Sequence, residues 1–387
     1  MVSIVDACRA HRGPLLADAQ RLICHESPSD DRAAIEASAD LVTEVVAARF
    51  SAAGIEADAE RIVIDGCPHI RWRLGSGPRR VLLLAHHDTV WPLGTLQTHP
   101  FSLEGGVMRG PGCFDMVVGL AQAVHAIAAL ADTHGAAAVD GVTLLVTGDE
   151  EIGSLTSREL IQTEATGCDA VLVLEAAGPA GALKTARKGV SLYSVDAIGK
   201  AAHAGLEPEK GVNAAIEIAL QIPRIAALAD PAHGTTVTPT RLAADTTVNT
   251  VPARARVDVD VRATTAAEQR RVDKAIRSLP PELAGSRIQV GGGINRPVME
   301  RASAASLYAR AVALAPAAGV ECLTEIAVGG ASDGNFTAGV GVPTLDGLGA
   351  VGGGAHAVDE HVLVEHIVPR TALVALLIQD LLKADAA

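Results

Sequence analysis

The distribution of apolar and polar positions divides most of the chain into short strands that alternate with helices. The segments Val81 to Ala85, Val142 to Thr147 and Ala170 to Leu174 are almost entirely apolar, as strands buried on both faces of a parallel sheet are. Met116 to Leu130 is apolar over the length of a helix. This alternation predicts an α/β fold with a mostly parallel sheet and flanking helices.

A different pattern occupies the middle of the chain, from residue 186 to residue 293. Ala253 to Arg262 (ARARVDVDVR) alternates with a period of two, which is typical of a sheet with one wet face. Two helices and several strands in this stretch predict an inserted α+β domain of ferredoxin-like type. The first pattern resumes with a helix at Ala302 to Leu314. We therefore expect one domain from residues 1–185 and 294–387, and a second from residues 186–293.

Composition and charge limit the partners of the protein. Its 387 residues are 49% hydrophobic and carry a formal net charge of −13, so no basic face for nucleic acid or anionic membranes is expected. No uninterrupted apolar run reaches the roughly 18 residues of a membrane helix. The first residues, MVSIVDACRAHRG, do not resemble a secretory signal, so we expect a cytoplasmic protein. The six cysteines contain no C-x-x-C pair, which favours reduced thiols.

Polar residues follow each of the three apolar strands directly. His86 and Asp88 come after the first strand, Glu150 and Glu151 after the second, and Glu175 after the third. Ligands of α/β sheets bind outside the carboxyl ends of the strands, so these side chains are expected to meet. Ordinary polar strand ends and a solvated acidic turn are the alternatives.

Two further residues have candidate roles at this edge. Asp115 precedes the apolar helix, where it could instead be a simple N-cap. His356 follows a run of glycines, and it could be an ordinary loop histidine. Carboxylates with imidazoles suit zinc, cobalt or manganese better than a thiolate site does.

Motifs spread over nearly the whole chain resemble one family. In order, they are HHDTV, GPGCFDM, GDEEIGS, VLEAAGPAG, GKAAHAG, NTVPARARVDVDVR, INRPVME, GGASDGNF and GGGAHAVDE. They are similar to those of the dinuclear-zinc exopeptidase and aminoacylase family, which includes glutamate carboxypeptidase, succinyl-diaminopimelate desuccinylase and acetylornithine deacetylase. HHDTVWPLGTL, PEKGVNA and ALKTARKG resemble the glutamate carboxypeptidase branch most.

The resemblance implies two divalent metal ions per chain, zinc first, with cobalt and manganese as alternatives. One ion would be held by His86, Asp115 and Glu175, and the other by Asp115, Glu151 and His356, with Asp115 bridging.

Further roles follow from the same resemblance. Asp88 would orient His86, and Glu150 would be the general base and acid. His203 would stabilise the oxyanion and, in a homodimer, would reach the partner's active site. The residues expected to contact the substrate are Asn249, Arg262, Arg296, Gly329 and Gly330.

The function implied is hydrolysis of an amide or peptide bond next to a free carboxylate, in a small molecule or short peptide. An N-acyl-amino-acid deacylase and a hydrolase of carbamoyl or other non-peptide C–N bonds remain open as alternatives. So does a non-catalytic metal-binding protein, although retention of Glu150 disfavours it. The chain departs from the family at Val117, where a lysine is usual, so any part that this lysine plays beside the metal ligands in the family does not carry over to this chain.

Overall fold

The fold is taken from a computed structural model that describes residues 3–244 and 246–383. The helices are α1 (Ile4–Ala10), α2 (Arg12–Ile23), α3 (Arg32–Ala52), α4 (Val118–His134), α5 (Arg158–Ala165), α6 (Ala214–Ala226), α7 (Ala266–Arg277), α8 (Arg301–Ala318), α9 (Gly334–Gly339) and α10 (Ile367–Lys383).

The strands follow in the same chain order. They are β1 (Glu60–Ile64), β2 (Cys67–Leu74), β3 (Val81–His86), β4 (Ser102–Glu104), β5 (Val107–Arg109), β6 (Val142–Thr147), β7 (Ala170–Val173), β8 (Leu183–Arg187), β9 (Gly189–Ile198), β10 (Ala202–His203), β11 (Thr236–Ala243), β12 (Thr250–Val251), β13 (Arg254–Ala263), β14 (Arg287–Arg296), β15 (Glu325–Val328), β16 (Thr344–Leu345), β17 (Gly352–Gly353) and β18 (His361–Leu363).

The internal contacts divide the chain into two compact units. Unit 1 comprises the residues up to Ala186, Arg301–Ala327 and the residues from Ser332 onward, and unit 2 comprises Arg187–Glu300 and Val328–Ala331. The sequence pattern places the second boundary at residue 293, but β14 continues past that point to Arg296. The return to unit 1 therefore lies a few residues later than the pattern indicates.

The main sheet of unit 1 is mixed, with the strand order β1-β2-β6-β3-β7-β16. The strands from β6 to β16 are parallel, as expected, whereas β1 and β2 form an antiparallel hairpin on β6. Asp65 and Gly66 turn the hairpin with φ values of 49° and 80°, which an Asp-Gly pair adopts readily. The sequence predicts a mostly parallel sheet, and the antiparallel pair β1 and β2 at one edge is the difference from that prediction.

The core of unit 1 covers both faces of β3, β6 and β7, and every residue of these strands is buried. Leu82 and Leu84 of β3 pack with Ile161 of α5 and Phe336 of α9. Alternate side chains of a strand point to opposite faces, and α4 and α10 also contact β3. Helices on both faces explain why these strands are apolar throughout.

The segment Cys113–His134, which contains α4, is long and apolar enough to cross a membrane. Its mean hydropathy is 1.7, and 94% of its most apolar window is buried inside the protein. The uninterrupted runs in the sequence do not reveal this, because Gln122 and His125 break them. Burial of this extent is what the central helix of a folded core shows, so the segment is weak evidence for a membrane span.

One buried carboxylate connects three helices of unit 1. Asp18 of α2 is 2% exposed and accepts hydrogen bonds from Arg49 of α3 at 2.6 Å and from His125 of α4 at 2.9 Å. Burial raises the pKa of Asp18, but the bonds from His125 and Arg49 lower it by more, so it lies below its usual value. The ionised form is therefore the one that holds the helices together.

Unit 2 contains an antiparallel sheet with the strand order β11-β13-β9-β14. The helices α6 and α7 cover one face, where Val195, Val257, Ile218 and Val272 are fully or almost fully buried. The other face carries the polar residues of the alternating strand β13. The one-wet-face pattern of the sequence thus corresponds to helices on one side of this sheet.

We predict that Asp18→Asn lowers the free energy of unfolding of unit 1 by about 3 kcal/mol at pH 7, since it leaves Arg49 and His125 without their carboxylate. Because the folded-state pKa of Asp18 is depressed, its contribution is present above the unfolded pKa of about 3.9 and is lost as the pH falls through the folded pKa. The difference between wild type and variant should therefore shrink below pH 4.

Urea titrations followed by tryptophan fluorescence measure this effect, because Trp72 and Trp91 both lie in unit 1. Asp40→Asn removes an exposed ion pair with Arg61 and should change little at any pH. A difference that stayed constant from pH 7 to pH 3 would contradict the role given to the Asp18 charge.

Candidate metal centre

The carboxyl ends of three neighbouring strands in unit 1 lie at one edge of the sheet. His86 at the end of β3 pairs in register with Thr147 at the end of β6, and Leu84 of β3 pairs with Val173 at the end of β7. The residues that follow each strand are thereby brought together. This is the edge at which α/β sheets bind ligands.

The first group of candidate ligands is His86, Asp115 and Glu175. His86 Nε2 lies 3.5 Å from Asp115 Oδ1 and 3.5 Å from Glu175 Oε1. The His86 side chain is 2% exposed, and Glu175 is also buried.

The second group is Asp115, Glu151 and His356. His356 Nε2 lies 3.4 Å from Asp115 Oδ2 and 3.2 Å from Glu151 Oε2. The two oxygens of Asp115 therefore face different groups. This carboxylate is placed to bridge two ions.

These spacings fit zinc. A tetrahedral zinc ion about 2.0–2.2 Å from each nitrogen or oxygen ligand separates neighbouring ligand atoms by about 3.4 Å. Among the residues that the structure describes, His86 Nε2 and Glu151 Oε1 are buried without a hydrogen-bond partner. Buried polar atoms normally have partners, so a cation fits both the spacing and the unpaired atoms.

The electrostatics of the two groups favour positive charge. Burial lowers the pKa of His86, but Asp115, Asp88 and Glu175 raise it by more, so it lies well above its usual value. Asp115 and Glu151 raise the pKa of His356 to about 10. Burial raises the pKa of Asp115, whereas His356 and His86 lower it by more, so it lies far below its usual value. The carboxylates thus attract cations, whether protons on the histidines or metal ions.

Asp88 contacts both His86 and the loop that carries the acidic pair. The Asp88 carbonyl lies 2.9 Å from His86 Nδ1, and its carboxylate oxygen lies 3.4 Å from the same nitrogen. The carboxylate also accepts the backbone N–H groups of Glu150 at 3.1 Å and Glu151 at 3.0 Å. The sequence does not indicate that the Asp88 carboxylate binds the backbone of Glu150 and Glu151.

Asp149 comes directly before Glu150 and Glu151 in the sequence, but its carboxylate is bound by other residues. It accepts hydrogen bonds from the backbone and hydroxyl of Thr156 and from Ser157. Cys67, His69 and Asp149 are close enough to hold an ion. However, both ring nitrogens of His69 already have partners, Gly148 N–H and Thr156 Oγ1, so this group fits a hydrogen-bond network better than a metal site.

The N-cap interpretation from the sequence does not describe Asp115. The residue before α4 is Val117, which makes no side-chain cap, and the Asp115 carboxylate faces the two histidines instead. His356 has a φ of 62°, which is uncommon for a residue with a side chain. The peptide bond between Asp115 and Met116 is cis.

Unit 2 contains the expected substrate-contacting residues. His203 pairs with Thr250 in the two-stranded sheet β10–β12, and the carbonyl of Asn249 accepts the Ala204 N–H, so His203 and Asn249 are neighbours. Strand β9 lies between β13 and β14, and its residue Val190 pairs with Arg262 of β13 on one side and with Arg296 of β14 on the other.

The other two residues expected to contact the substrate, Gly329 and Gly330, lie in the segment Val328–Ala331 of the same unit. The Gly330 carbonyl accepts a hydrogen bond from the buried Arg187 at 3.1 Å. The expected substrate-contacting residues are therefore all in one unit.

Glu360 is a residue of this region that the sequence analysis misses. It is fully buried and accepts the backbone N–H of Asp115 at 3.0 Å. A glutamate four residues after His356 is an available signal, but an acidic residue in a polar loop gives no indication of burial.

The sequence is similar to those of known peptidases. Residues 82–380 match the model of peptidase family M20/M25/M40. The chain is 33% identical to carboxypeptidase G2 of Pseudomonas sp. (strain RS-16) over 315 residues, which are 79% of this chain and 75% of that relative.

Solved structures of low sequence identity share the fold. Aminopeptidase PepT from Bacillus cereus ATCC 10987 has a TM-score of 0.70 at 21% identity, covering 96% of this chain and 99% of its own. The Bacillus subtilis YXEP protein, a dinuclear metal-binding peptidase from the M20 family, has a TM-score of 0.64 at 13% identity, covering 97% of this chain and 99% of its own. The family match covers most of the sequence, and the chain belongs to peptidase family M20/M25/M40.

Proposed function

We propose that this M20-family hydrolase cleaves an amide or peptide bond adjacent to a free carboxylate, as a glutamate carboxypeptidase does. The observation that carries the proposal is the pair of ligand groups sharing Asp115, with the carboxylate of Glu150 one residue before the ligand Glu151. The likeness to carboxypeptidase G2 supports the same reaction class.

Two divalent metal ions fit the two groups, with zinc preferred and cobalt or manganese as alternatives. Such ions would polarise the scissile carbonyl and lower the pKa of a water molecule between them. His86, Asp115 and Glu175 would hold one ion, and Asp115, Glu151 and His356 the other.

Glu150 is proposed as the general base and acid. It is 8% exposed, and its backbone N–H is fixed by Asp88, so its position is set by the strand end rather than by a mobile loop. Glu150 would take a proton from the attacking water as oxygen adds to the carbonyl carbon. When the C–N bond breaks, the same carboxyl group would give that proton to the leaving amine.

His203 is proposed as a hydrogen-bond donor to the oxyanion. Its Nδ1 accepts the backbone N–H groups of Gly205 at 3.1 Å and Leu206 at 3.2 Å. A neutral imidazole whose Nδ1 accepts carries its proton on Nε2. The local turn thus selects the tautomer in which the outer nitrogen donates, which an oxyanion requires.

Arg296 is proposed as the main anchor of the substrate carboxylate, because an arginine fork pairs with a carboxylate through two hydrogen bonds. Arg296 is 8% exposed. Arg262, whose guanidinium donates to both oxygens of Asp260 at 2.9 Å, is the other candidate. Asn249 and the backbone of Gly329 and Gly330 are proposed as further contacts.

Unit 2 is proposed to serve as a lid and as the dimerisation domain. Its order of elements, β9-α6-β11-β13-α7-β14, is that of a ferredoxin-like domain. The edge strand β11 offers unpaired backbone groups to another chain. His203 is exposed, as a residue that contributes to a partner's site must be.

The decisive experiment for the reaction class is a substrate panel. The zinc- or cobalt-loaded protein would be incubated with dipeptides, N-acyl amino acids and N-carbamoyl amino acids, and the products read by mass spectrometry. Preferred cleavage of dipeptides that carry a free terminal carboxylate supports the proposal. Preference for simple N-acyl or carbamoyl compounds would favour the alternatives.

We predict that the purified protein binds two zinc ions per chain and that His356→Ala binds one. His356 belongs only to the second group, so its loss should leave the first intact. Elemental analysis after dialysis measures the stoichiometry, with His366→Ala, a half-exposed histidine of unit 1, as the control. Absence of stoichiometric metal in zinc-treated wild type would refute the metal centre.

We predict that Glu150→Gln keeps both metals and loses activity by at least about 10² to 10⁴, the usual contribution of general acid–base catalysis. Glu151→Gln should instead weaken metal binding, because Glu151 is one of the grouped ligands. Glu159→Gln, on the exposed surface of α5, is the control for a glutamate change nearby. Near wild-type turnover in Glu150→Gln would show that another group transfers the proton.

We predict that Arg296→Ala lowers kcat/KM by roughly 10² or more, since a charge-assisted pair is lost. Amidation of the substrate's α-carboxylate should impair the wild type strongly and the variant little. Arg262→Ala is the matched control and should retain the discrimination. Equal effects of amidation on wild type and Arg296→Ala would show that Arg296 does not bind that carboxylate.

A further inference from the structure

Glu360 is a buried carboxylate with four hydrogen-bond donors in unit 1. Its Oε1 accepts the backbone N–H groups of Phe114 at 2.8 Å and Asp115 at 3.0 Å. Its Oε2 accepts Gly112 N–H at 3.0 Å and Trp91 Nε1–H at 2.8 Å. Only an ionised carboxylate offers four acceptor positions and no donor, so the surroundings are built for the charged form.

The donors belong to segments that carry candidate metal ligands. Gly112–Asp115 is an irregular segment between β5 and α4, and it ends in the carboxylate shared by the two groups. Trp91 lies three residues after Asp88. Glu360 itself lies four residues after His356, so one side chain connects three stretches of the centre.

The backbone of the Asp115 segment needs an acceptor. Gly112 and Phe114 are buried, and Asp115 has φ −119° and ψ 97°, outside helical geometry. The N–H groups of Gly112, Phe114 and Asp115 converge on Glu360 instead of pairing within a helix or strand. Buried N–H groups without a partner are strongly disfavoured, so this carboxylate sets the path of the segment.

The His356 side of the connection is also fixed. Ala357 N–H donates to the Gly354 carbonyl, and Glu360 N–H donates to the Ala357 carbonyl, forming two successive turns. The next residues form β18, which pairs with β5. His356 is half exposed, so its own packing does not determine its position, whereas Glu360 anchors the end of its turn.

We propose that Glu360 is a positioning residue for the second metal ion: its carboxylate holds the Asp115 segment and the His356 turn at the spacing that the shared site requires. The inference rests on the proposed metal centre and adds a residue that is not itself a ligand. Burial raises the pKa of Glu360 above its usual value, and the hydrogen bonds from Asp115 and Phe114 offset only part of this rise.

The test is the zinc affinity of Glu360→Gln, measured by titration against a chelator of known affinity. An amide in place of the carboxylate would direct an NH₂ group at two of the four donors. We expect the dissociation constant of the second zinc ion, the one that His356→Ala should lose, to rise by roughly 10- to 100-fold, as for residues that orient ligands. The kcat should fall more than KM rises, because the substrate anchors are unchanged.

Glu217→Gln is a matched control in unit 2. Glu217 is also a fully buried glutamate that accepts backbone N–H groups, from Glu282 at 2.9 Å and Leu283 at 2.7 Å, and the Ser286 hydroxyl. Its substitution should lower the melting temperature while leaving both zinc dissociation constants unchanged. Equal loss of zinc in the two variants would show that Glu360 acts through general stability and would overturn the inference.

Trp91→Phe supplies a second variant in case Glu360→Gln does not fold. It removes one of the four donors and should weaken the same zinc site by a smaller factor. Unchanged zinc affinity in Trp91→Phe, with Glu360→Gln either unfolded or unchanged, overturns the inference. A wild type that binds no stoichiometric zinc overturns the proposed function itself, whereas tight binding of two ions by both wild type and Glu360→Gln overturns the positioning role alone.

Discussion

The structure of unit 1 depends on gathering negative charge at one edge of its sheet. Asp88, Glu150, Glu151 and Glu175 follow the ends of neighbouring strands, and Asp115 joins them from the segment before α4. Most of this group is out of contact with solvent. Carboxylates in low dielectric repel one another and resist ionisation unless cations or N–H donors compensate them. The two histidines compensate some of this charge, and backbone N–H groups compensate Asp88. The remaining imbalance is the physical reason that the centre suits divalent cations.

The sequence indicates the candidate metal-binding edge well because the relevant signals are local. A strand buried on both faces is apolar throughout, so the first polar residue marks its end, and parallel neighbours bring those ends together. His86, Glu151 and Glu175 can therefore be placed from the pattern of three strands. Assigning Asp115 and His356 requires the family resemblance, because a helix cap and a loop histidine have the same local sequence.

Contacts between distant residues are what the sequence does not show. Nothing local indicates that Asp149 turns toward Thr156 while Glu151 turns toward His356, or that Glu360 is buried. Strand β14 is another case. Its glycines carry no side chains to alternate, so the pattern ends at Val290, whereas the backbone remains paired with β9 up to Arg296. A side chain at Gly292 would collide with the Leu192 carbonyl. The absence of a side chain at Gly292 therefore allows β14 to pair with β9, and it also removes the alternating pattern that would indicate a strand.

The junction of Asp18, Arg49 and His125 has a consequence for how sequences of this fold can diverge. Replacing Asp18 alone leaves Arg49 and His125 without their carboxylate, and replacing either donor alone leaves the buried Asp18 charge with one partner fewer. Replacing all three with apolar side chains of similar volume avoids that penalty. Substitution of one of these residues at a time is therefore disfavoured, whereas substitution of all three together is tolerated. Relatives are expected to carry either the whole triad or an apolar contact among the same three helices, with few intermediate combinations.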